Sequence, residues 1–306
     1  MGEHDDEQLH ASQRDALLAA GLLRPSGVDG VYGLSSELAG VVAGVDGLIS
    51  AAGHDQGAER VDFPPVMAMS SIEATGYMQG FPHLLGVVRT FEGGQAEHRG
   101  LLDALDAGGD WGSKLSRTGL ALCPAVCHPL YATLTGTLPP GGRRFDLCGY
   151  AFRHEPSSDP ARLQAFRMHE YVFVGEEPGA NAHRELWHAR GAELLSSLGL
   201  EVTVDVANDP FFGRAGTALA ALQLEEGLKH EILAPTSGAT ALTALASTNR
   251  HRDHFATVFE IMASDGAPAH STCCGFGLER IALALVWRYG TSPRTWPHRV
   301  RTLLGR

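Results

Sequence analysis

The chain has 306 residues, of which 44% are hydrophobic and 19% are charged, and it carries a formal net charge of −11 with a pI of about 5.7. This apolar content is ample for one large α+β domain or two smaller ones. The acidic balance argues against a free-standing nucleic-acid binder, because such proteins are usually basic.

Two further features indicate where the protein resides. No apolar run reaches the roughly 18 residues that a membrane span needs, and the acidic start, MGEHDDEQLH, does not form a signal peptide. We therefore expect a cytoplasmic protein without membrane association. The cysteines carry no disulfide-scaffold pattern, which favours a reduced protein with thiols free for metal. They are Cys123, Cys127, Cys148, Cys273 and Cys274.

Residues 1–60 are predicted to form a helical segment packed on a larger domain of residues 61–306. Spaced leucines and valines predict a short amphipathic helix within residues 1–24 and a second helix within residues 33–53. Both are too short to form an extended helical arm, and no long heptad run occurs.

Residues 61–67, VDFPPVM, predict a strand that ends in prolines. A helix is predicted to follow, with Ser70 or Ser71 as its N-cap. Residues 85–91 predict another strand, which leads into a polar, glycine-rich linker. The segment 120–140 then predicts a strand and a loop.

Residues 145–175 predict a strand, a charged loop and a return strand over residues 166–174. The first strand leads into Arg153 and Glu155, and the loop carries Arg162. Two arginines, two glutamates and an aromatic therefore meet in one hairpin. A guanidinium offers a fixed fork of donors that suits phosphate oxygens, although solvated ion pairs on a surface hairpin are the plainer alternative.

The last part of the chain ends in a helix opened by an arginine. Residues 270–280, HSTCCGFGLER, precede an almost wholly apolar helix that extends to about residue 287. Because an unpaired buried charge is costly, Arg280 needs a partner, which is either a phosphate or an acidic side chain. Before this segment the pattern predicts a helix over 181–199 capped by Asn181, a strand over 201–207, a helix over 215–226, and strands over 229–233 and 243–249.

The order of these segments resembles the class II aminoacyl-tRNA synthetases. Residues 76–82 are similar to motif 1, residues 152–155 (Phe-Arg-His-Glu) with 162–170 to motif 2, and residues 275–280 (Gly-Phe-Gly-Leu-Glu-Arg) to motif 3. The chain looks most like the zinc-dependent seryl-type group, and within it like the amino acid:[carrier protein] ligases, which lack a tRNA-binding domain. The resemblance, over about residues 61–289, implies an α+β fold with an antiparallel six- or seven-stranded sheet flanked by helices, and a homodimer.

The resemblance also implies roles for single residues. Arg153 would bind the α-phosphate, and Arg162 and Arg280 would bind the β- and γ-phosphates of a bent ATP together with Mg²⁺. Phe166 would stack on adenine, and Glu155 would contact the amino acid or the adenine edge. Arg153, Glu155 and Arg280 are thus the predicted catalytic residues. Further contacts with the nucleotide and the pocket are predicted for Leu163, Met168, Ala244, Ser247 and Asn249.

The family's three zinc ligands fall on Cys127, Glu170 and Cys273. Two thiolates and a carboxylate suit zinc and leave one coordination position open, which in the family takes the α-amino group of the substrate. Cys123 and Cys274 stay open as replacements for Cys127 and Cys273.

The implied reaction is ATP-dependent activation of a small amino acid, with glycine or alanine expected, and transfer to the phosphopantetheine thiol of a carrier protein. A minimal seryl-type tRNA synthetase is an alternative, although the missing arm and the acidic charge argue against tRNA. A non-catalytic synthetase-like binding or regulatory protein is another. His169, Arg250 and Cys274 depart from the family pattern and leave the amino acid open. We expect Cys148 to be an inert small hydrophobe, and most of the 15 histidines to be structural or solvated.

Overall fold

The computed structural model describes residues 3–238 and 242–306. The helices are α1 (Glu3–Ala19), α2 (Ser36–Gly53), α3 (Met69–Ala74), α4 (Tyr77–Gly80), α5 (Gln95–Asp106), α6 (His128–Tyr131), α7 (Glu177–Ser197), α8 (Gly213–Glu225), α9 (His254–Phe259), α10 (Leu278–Tyr289) and α11 (His298–Leu303). The strands are β1 (Leu23–Pro25), β2 (Tyr32–Leu34), β3 (Glu59–Val61), β4 (Val66–Ala68), β5 (Val87–Thr90), β6 (Ser116–Leu122), β7 (Gly136–Thr137), β8 (Arg143–Phe152), β9 (Ala165–Gly175), β10 (Thr203–Ala207), β11 (Lys229–Pro235), β12 (Leu242–Arg252), β13 (Ile261–Met262) and β14 (His270–Gly277).

A seven-stranded sheet organises the molecule, in the order β10-β11-β12-β14-β9-β8-β3. Every neighbouring pair is antiparallel except the last, because the edge strand β3 joins β8 in parallel. The predicted α+β fold with a sheet of six or seven strands flanked by helices is therefore confirmed, and its one departure from a purely antiparallel sheet is β3.

Successive residues of the central strands face two different cores. Tyr171 and Cys274 face the larger core, which α2, α7 and α10 cover and in which Trp187 is fully buried. Val172 and Cys273 face a smaller core on the opposite side of the sheet, closed by α6 and α9. This smaller core lies beneath the predicted site, so the side chains of the site rest on a packed floor.

Two local predictions near residue 65 are wrong. The predicted strand 61–67 is split into β3 and β4, which belong to different sheets, because prolines at 64 and 65 cannot donate ladder hydrogen bonds. Ser70 and Ser71 lie inside α3, whose N-cap is Ala68.

One helix was not predicted, and another begins earlier than predicted. The linker predicted after residue 91 contains α5, at whose start the Glu97 carboxylate accepts a hydrogen bond of 2.9 Å from the amide of Gly94. Asn181 lies inside α7, whose N-cap is Glu176.

Helix α2 packs on the larger core through Leu38, Val41, Val45 and Ile49. Contrary to the sequence-based expectation, residues 36–56 are long and apolar enough to cross a membrane by length and composition, with a mean hydropathy of 1.2. Core helices pass the same test, and the buried face of α2 has that role here. Strand β3 spans the predicted boundary at residue 60, and the division of the chain there stays a prediction.

Candidate active site

Three buried residues form a compact group of donor atoms for a metal ion. Cys127 precedes α6, Glu170 lies in β9 and Cys273 lies in β14, and their donor atoms all lie within 4.8 Å of one another. Among the described residues, Oε2 of Glu170 has no hydrogen-bond partner. A buried carboxylate oxygen without a partner is costly, so this geometry suits a cation. We call these residues the Cys127–Glu170–Cys273 set.

The protonation of the set is uneven in the absence of a cation. A hydrogen bond from Cys127 holds the pKa of Cys273 well below its usual range, and the same contact together with burial holds the pKa of Cys127 well above it. Burial raises the pKa of Glu170 to about 7. The set therefore keeps protons that a divalent cation would displace on binding. Two thiolates and a carboxylate form a donor set that fits zinc.

The alternative thiols point elsewhere. The Sγ atom of Cys123 donates to the carbonyl of Ala125 at 3.0 Å. Cys274 faces the opposite side of the sheet from Cys273, where its sulfur lies 3.9 Å from the carbonyl of Trp187. The geometry therefore selects Cys127 and Cys273 over these two replacements.

Gly275 leaves room for the carboxylate of the set. It lies opposite Glu170 across the β9–β14 ladder. A Cβ atom at this position would lie 3.2 Å from Oε1 of Glu170 and 3.4 Å from Cε of Met168. Gly275 of motif 3 is thus explained by the lack of space for a side chain. Its φ lies outside the left-handed region, so backbone conformation does not require glycine here.

Three arginines of motifs 2 and 3 come together. Arg280, in the first turn of α10, donates to the carbonyl of Ala161 at 2.8 Å and to that of Ala244 at 3.1 Å. Backbone oxygens therefore hold it, and no acidic side chain of residues 3–238 or 242–306 pairs with it. Burial lowers the pKa of Arg280, and the nearby charges of Arg153 and Arg162 lower it further. Like charges gathered in this way create a site for a polyanion.

The other residues of the motif 2 hairpin surround this group. Arg153 donates to the carbonyl of Pro124 at 3.1 Å, and its guanidinium carbon lies 5.7 Å from the centroid of the Phe166 ring. Arg162 is 56% exposed and its Nη1 lies 3.6 Å from the carboxylate of Glu155. Such an exposed pair is weak, so Arg162 is free to turn toward a ligand.

The predicted pocket residues of β12 lie beside the metal donors. The Nδ2 atom of Asn249 lies 3.6 Å from the sulfur of Cys273 and 3.2 Å from Oγ of Ser247. The carbonyl of Ala244 holds the motif 3 arginine. The side chain of Leu163, by contrast, lines an apolar recess between α2 and α10, so the structure does not place it with the others.

A buried lysine beside the pocket, Lys229, was not predicted as a site residue. Lys229 is the cross-strand neighbour of Asn249, and its Nζ lies 2.8 Å from the carboxylates of both Asp209 and Glu231. Asp209 also accepts a hydrogen bond of 2.8 Å from Gln223 of α8. The available signal was the spacing of Lys229 and Glu231, which puts both on one face of a strand.

His251 was not predicted as a site residue either. It lies two residues after Asn249, where a bulge interrupts the β12 ladder, so strand periodicity alone does not place it beside the site. Its Nε2 lies 3.6 Å from the sulfur of Cys273. Burial alone would lower its pKa, but the charge and hydrogen bond of Cys273, together with the charges of Glu170 and Asp209, outweigh burial, and the pKa lies above its usual value.

Asp46, Cys148 and His169 form a second group of donor atoms within 4.8 Å of one another. The ring nitrogens of His169 lie 2.6 Å from Asp46 and 2.9 Å from Asp146. The imidazole therefore bridges two carboxylates, and burial raises the pKa of the neighbouring Cys148 thiol to about 12. The hydrogen bond of His169 with Asp46 and its ion pair with Asp146 tie α2 to β8 and β9. Cys148 therefore lies among polar groups, while its raised pKa keeps the thiol protonated, as an inert cysteine would be.

Known proteins resemble this chain over almost its whole length. It is 41% identical over 290 residues to amino acid–[acyl-carrier-protein] ligase 1 of Bradyrhizobium diazoefficiens, a match that covers 94% of this chain and 89% of that protein. Ligase 2 of the same organism is also 41% identical, with coverages of 94% and 86%. The type-2 serine–tRNA ligase of Methanopyrus kandleri is 27% identical over 198 residues, which are 60% of this chain and 37% of that enzyme.

Solved structures show the same fold. The M. kandleri seryl-tRNA synthetase, in complex with A. aeolicus tRNASec, aligns with a TM-score of 0.80 at 21% identity over 95% of this chain and 60% of that one. The prolyl-tRNA synthetase of Cryptosporidium parvum aligns with a TM-score of 0.65 at 12% identity over 91% and 52%. No protein-family model matches the chain. The identity to the two Bradyrhizobium ligases nevertheless confirms the resemblance: this chain belongs to the amino acid–[acyl-carrier-protein] ligases, a family of ligases on the class II synthetase fold.

Proposed function

We propose that the protein activates a small amino acid with ATP and transfers it to the phosphopantetheine thiol of a carrier protein. In the first step a carboxylate oxygen of the amino acid attacks the α-phosphorus, the bond to the bridging oxygen breaks, and pyrophosphate leaves. In the second step the thiol sulfur attacks the carbonyl carbon of the aminoacyl-adenylate, and AMP leaves as the thioester forms. Glycine or alanine is the proposed amino acid, on the family resemblance.

One observation carries this proposal: a buried set of metal donors lies beside a cluster of three arginines. The carbonyls that hold Arg280 keep its charge in place before a nucleotide binds. Arg153 and Arg162 add charge that a triphosphate with Mg²⁺ would neutralise. The chemistry therefore needs positioning and electrostatic stabilisation, and it needs no protein base because the attacking carboxylate is already ionised.

Zinc is the metal that we propose for the Cys127–Glu170–Cys273 set. The unpartnered oxygen of Glu170 and the donor chemistry support this assignment. When bound, zinc would supply an open coordination position for the α-amino group of the substrate. Asn249 and Ser247, which lie next to Cys273, would then border the amino acid.

We also propose a cytoplasmic homodimer that does not require tRNA. All five cysteines are free, which suits a reducing compartment. Large apolar side chains are exposed on β5 and β6, whose sheet packs against the motif 1 segment, including Val87 at 51% and Leu120 at 39%. Exposed apolar groups of this kind favour an interface. Light scattering on the wild type and on Leu120→Glu would test the dimer, because the variant should shift toward monomer.

The decisive experiment is ATP–pyrophosphate exchange with a panel of small amino acids. We expect exchange with glycine or alanine on zinc-loaded protein. Carrier protein in its phosphopantetheine form and bulk tRNA, offered side by side, then identify the acceptor. Exchange with no amino acid would contradict the proposal, and charging of tRNA in preference to the carrier would favour the seryl-type alternative.

Metal content tests the zinc assignment separately. Cys273→Ser should lose most of its bound zinc, whereas Cys274→Ser, on the adjacent residue of the opposite face, should retain it. Equal zinc in both variants, measured by atomic emission on folded protein, would contradict the assignment.

A further inference from the structure

The sulfur of Cys273 faces two N–H groups from the neighbouring strand. Nε2 of His251 and Nδ2 of Asn249 each lie 3.6 Å from Sγ. Both residues belong to β12, which pairs with β14 beside Cys273. This cysteine therefore has specific hydrogen-bond donors in addition to its place in the set.

The surroundings of His251 determine which ring nitrogen carries hydrogen. Its Nδ1 lies 3.1 Å from the hydroxyl of Ser271 and 3.3 Å from that of Tyr131. Either hydroxyl can donate to the single Nδ1 lone pair, which leaves the proton on Nε2, the nitrogen that faces the sulfur. Tyr131 is fully buried and stacks on Phe255 with ring centroids 3.8 Å apart, so its hydroxyl is fixed.

The backbone of β12 is irregular at this residue. Arg250 pairs with Thr272 and Arg252 pairs with Ser271, so His251 is an extra residue in the ladder. Arg252 adopts a φ of +55°, a left-handed conformation that is unfavourable for a residue other than glycine. Bulges that redirect a side chain are common beside functional sites, where local strain is tolerated for a purpose.

From this geometry we propose that His251 is a positioning residue that tunes the Cys273 thiolate by donating its Nε2–H to the sulfur. The inference rests on the proposed metal site and assigns control of it to a residue outside the donor set. An N–H···S hydrogen bond withdraws charge from the thiolate, lowers the energy of the sulfur lone pairs, and favours the metal-bound thiolate over the free thiol. Loss of such an outer partner costs roughly 10–100-fold in metal affinity or activity.

Cobalt(II) titration of the metal-free full chain tests the proposal without any assay of activity. His251→Phe removes the donor and keeps an aromatic ring against Phe255. His251→Gln restores an N–H donor, and His254→Phe is the matched control, because His254 is exposed and also packs edge-on against Phe255. We expect the thiolate-to-cobalt charge-transfer band to shift to lower energy in His251→Phe, with at least tenfold weaker apparent binding at neutral pH.

The remaining variants separate tuning from a merely structural role. In His251→Gln the band should return toward its wild-type position, and in His254→Phe it should not move. Ser271→Ala, which removes one donor to Nδ1, should give a smaller shift in the same direction and carries the test if His251→Phe does not fold.

Two outcomes would overturn the inference while leaving the metal site intact. An unchanged band in folded His251→Phe would show that the N–H group does not act on the sulfur. Loss of a nitrogen ligand in the d–d spectrum of that variant would make His251 a ligand and not an outer partner. If the wild type binds no cobalt at all, the metal site itself fails, and this result is distinct from the other two.

Discussion

A substitution at Arg162 should separate most clearly an effect on nucleotide binding from an effect on stability. Its side chain is 56% exposed and lies 3.6 Å from Glu155 and 4.0 Å from Asp159. Exposed pairs of this kind contribute about 0–1 kcal/mol, so Arg162→Met should leave the free energy of unfolding within about 1 kcal/mol of wild type. A hydrogen bond to a charged group is worth about 1.5–3 kcal/mol, so the KM for ATP in pyrophosphate exchange should rise about 10–100-fold.

Arg288→Met is a matched control for this substitution. Arg288 is 51% exposed and lies 3.4 Å from Glu201, so it has nearly the same exposure and pairing away from the hairpin. Its loss should change neither the KM for ATP nor the stability. If Arg162→Met and Arg288→Met had the same KM for ATP, Arg162 would be only a surface ion-pair partner and the phosphate assignment would be wrong.

Three further substitutions test other parts of the structure. Gly275→Ala should lower bound zinc, measured by atomic emission, because its Cβ would crowd the carboxylate of Glu170; full zinc content would refute this. Lys229→Met should lower the free energy of unfolding in urea by about 3 kcal/mol, since it leaves Asp209 without its cation, and a loss below 1 kcal/mol would show that water replaces the lysine. Burial lowers the pKa of His183 from 6.5 to about 4, so the native state binds fewer protons in that interval and stability present above pH 6.5 is lost as pH falls toward 4. The loss is about 3 kcal/mol. The free energy of unfolding, measured in urea at several pH values across this range, should therefore change less steeply with pH in His183→Gln.

The parts of the site that could be predicted depend on local order in the sequence. The hairpin of β8 and β9 follows from strands whose alternation is readable in the sequence. The choice between Cys273 and Cys274 stays open in the sequence, and the structure favours Cys273 because neighbouring residues of one strand face opposite sides of the sheet.

The parts that could not be predicted depend on contacts between distant segments. The role of His251 requires a bulge in β12 and the hydroxyl of Tyr131, 120 residues away. The parallel pairing of β3 with β8 and the burial of Lys229 between two carboxylates arise only when the sheet is assembled. Sequence patterns carry no signal for such tertiary pairings beyond the type of each residue.

The net charge of −11 does not decide whether this protein binds a polyanion such as ATP. Charges separated by more than about 8–10 Å of water are largely screened at physiological ionic strength, so the arginine cluster acts locally. Screening is strongest for the exposed Arg162 and weakest for Arg280, which backbone carbonyls enclose. The difference in KM for ATP between wild type and Arg162→Met should therefore narrow as salt is raised. A difference that stays constant from low to high salt would mean that Arg162 acts from a desolvated position, which the structure does not show for the free protein.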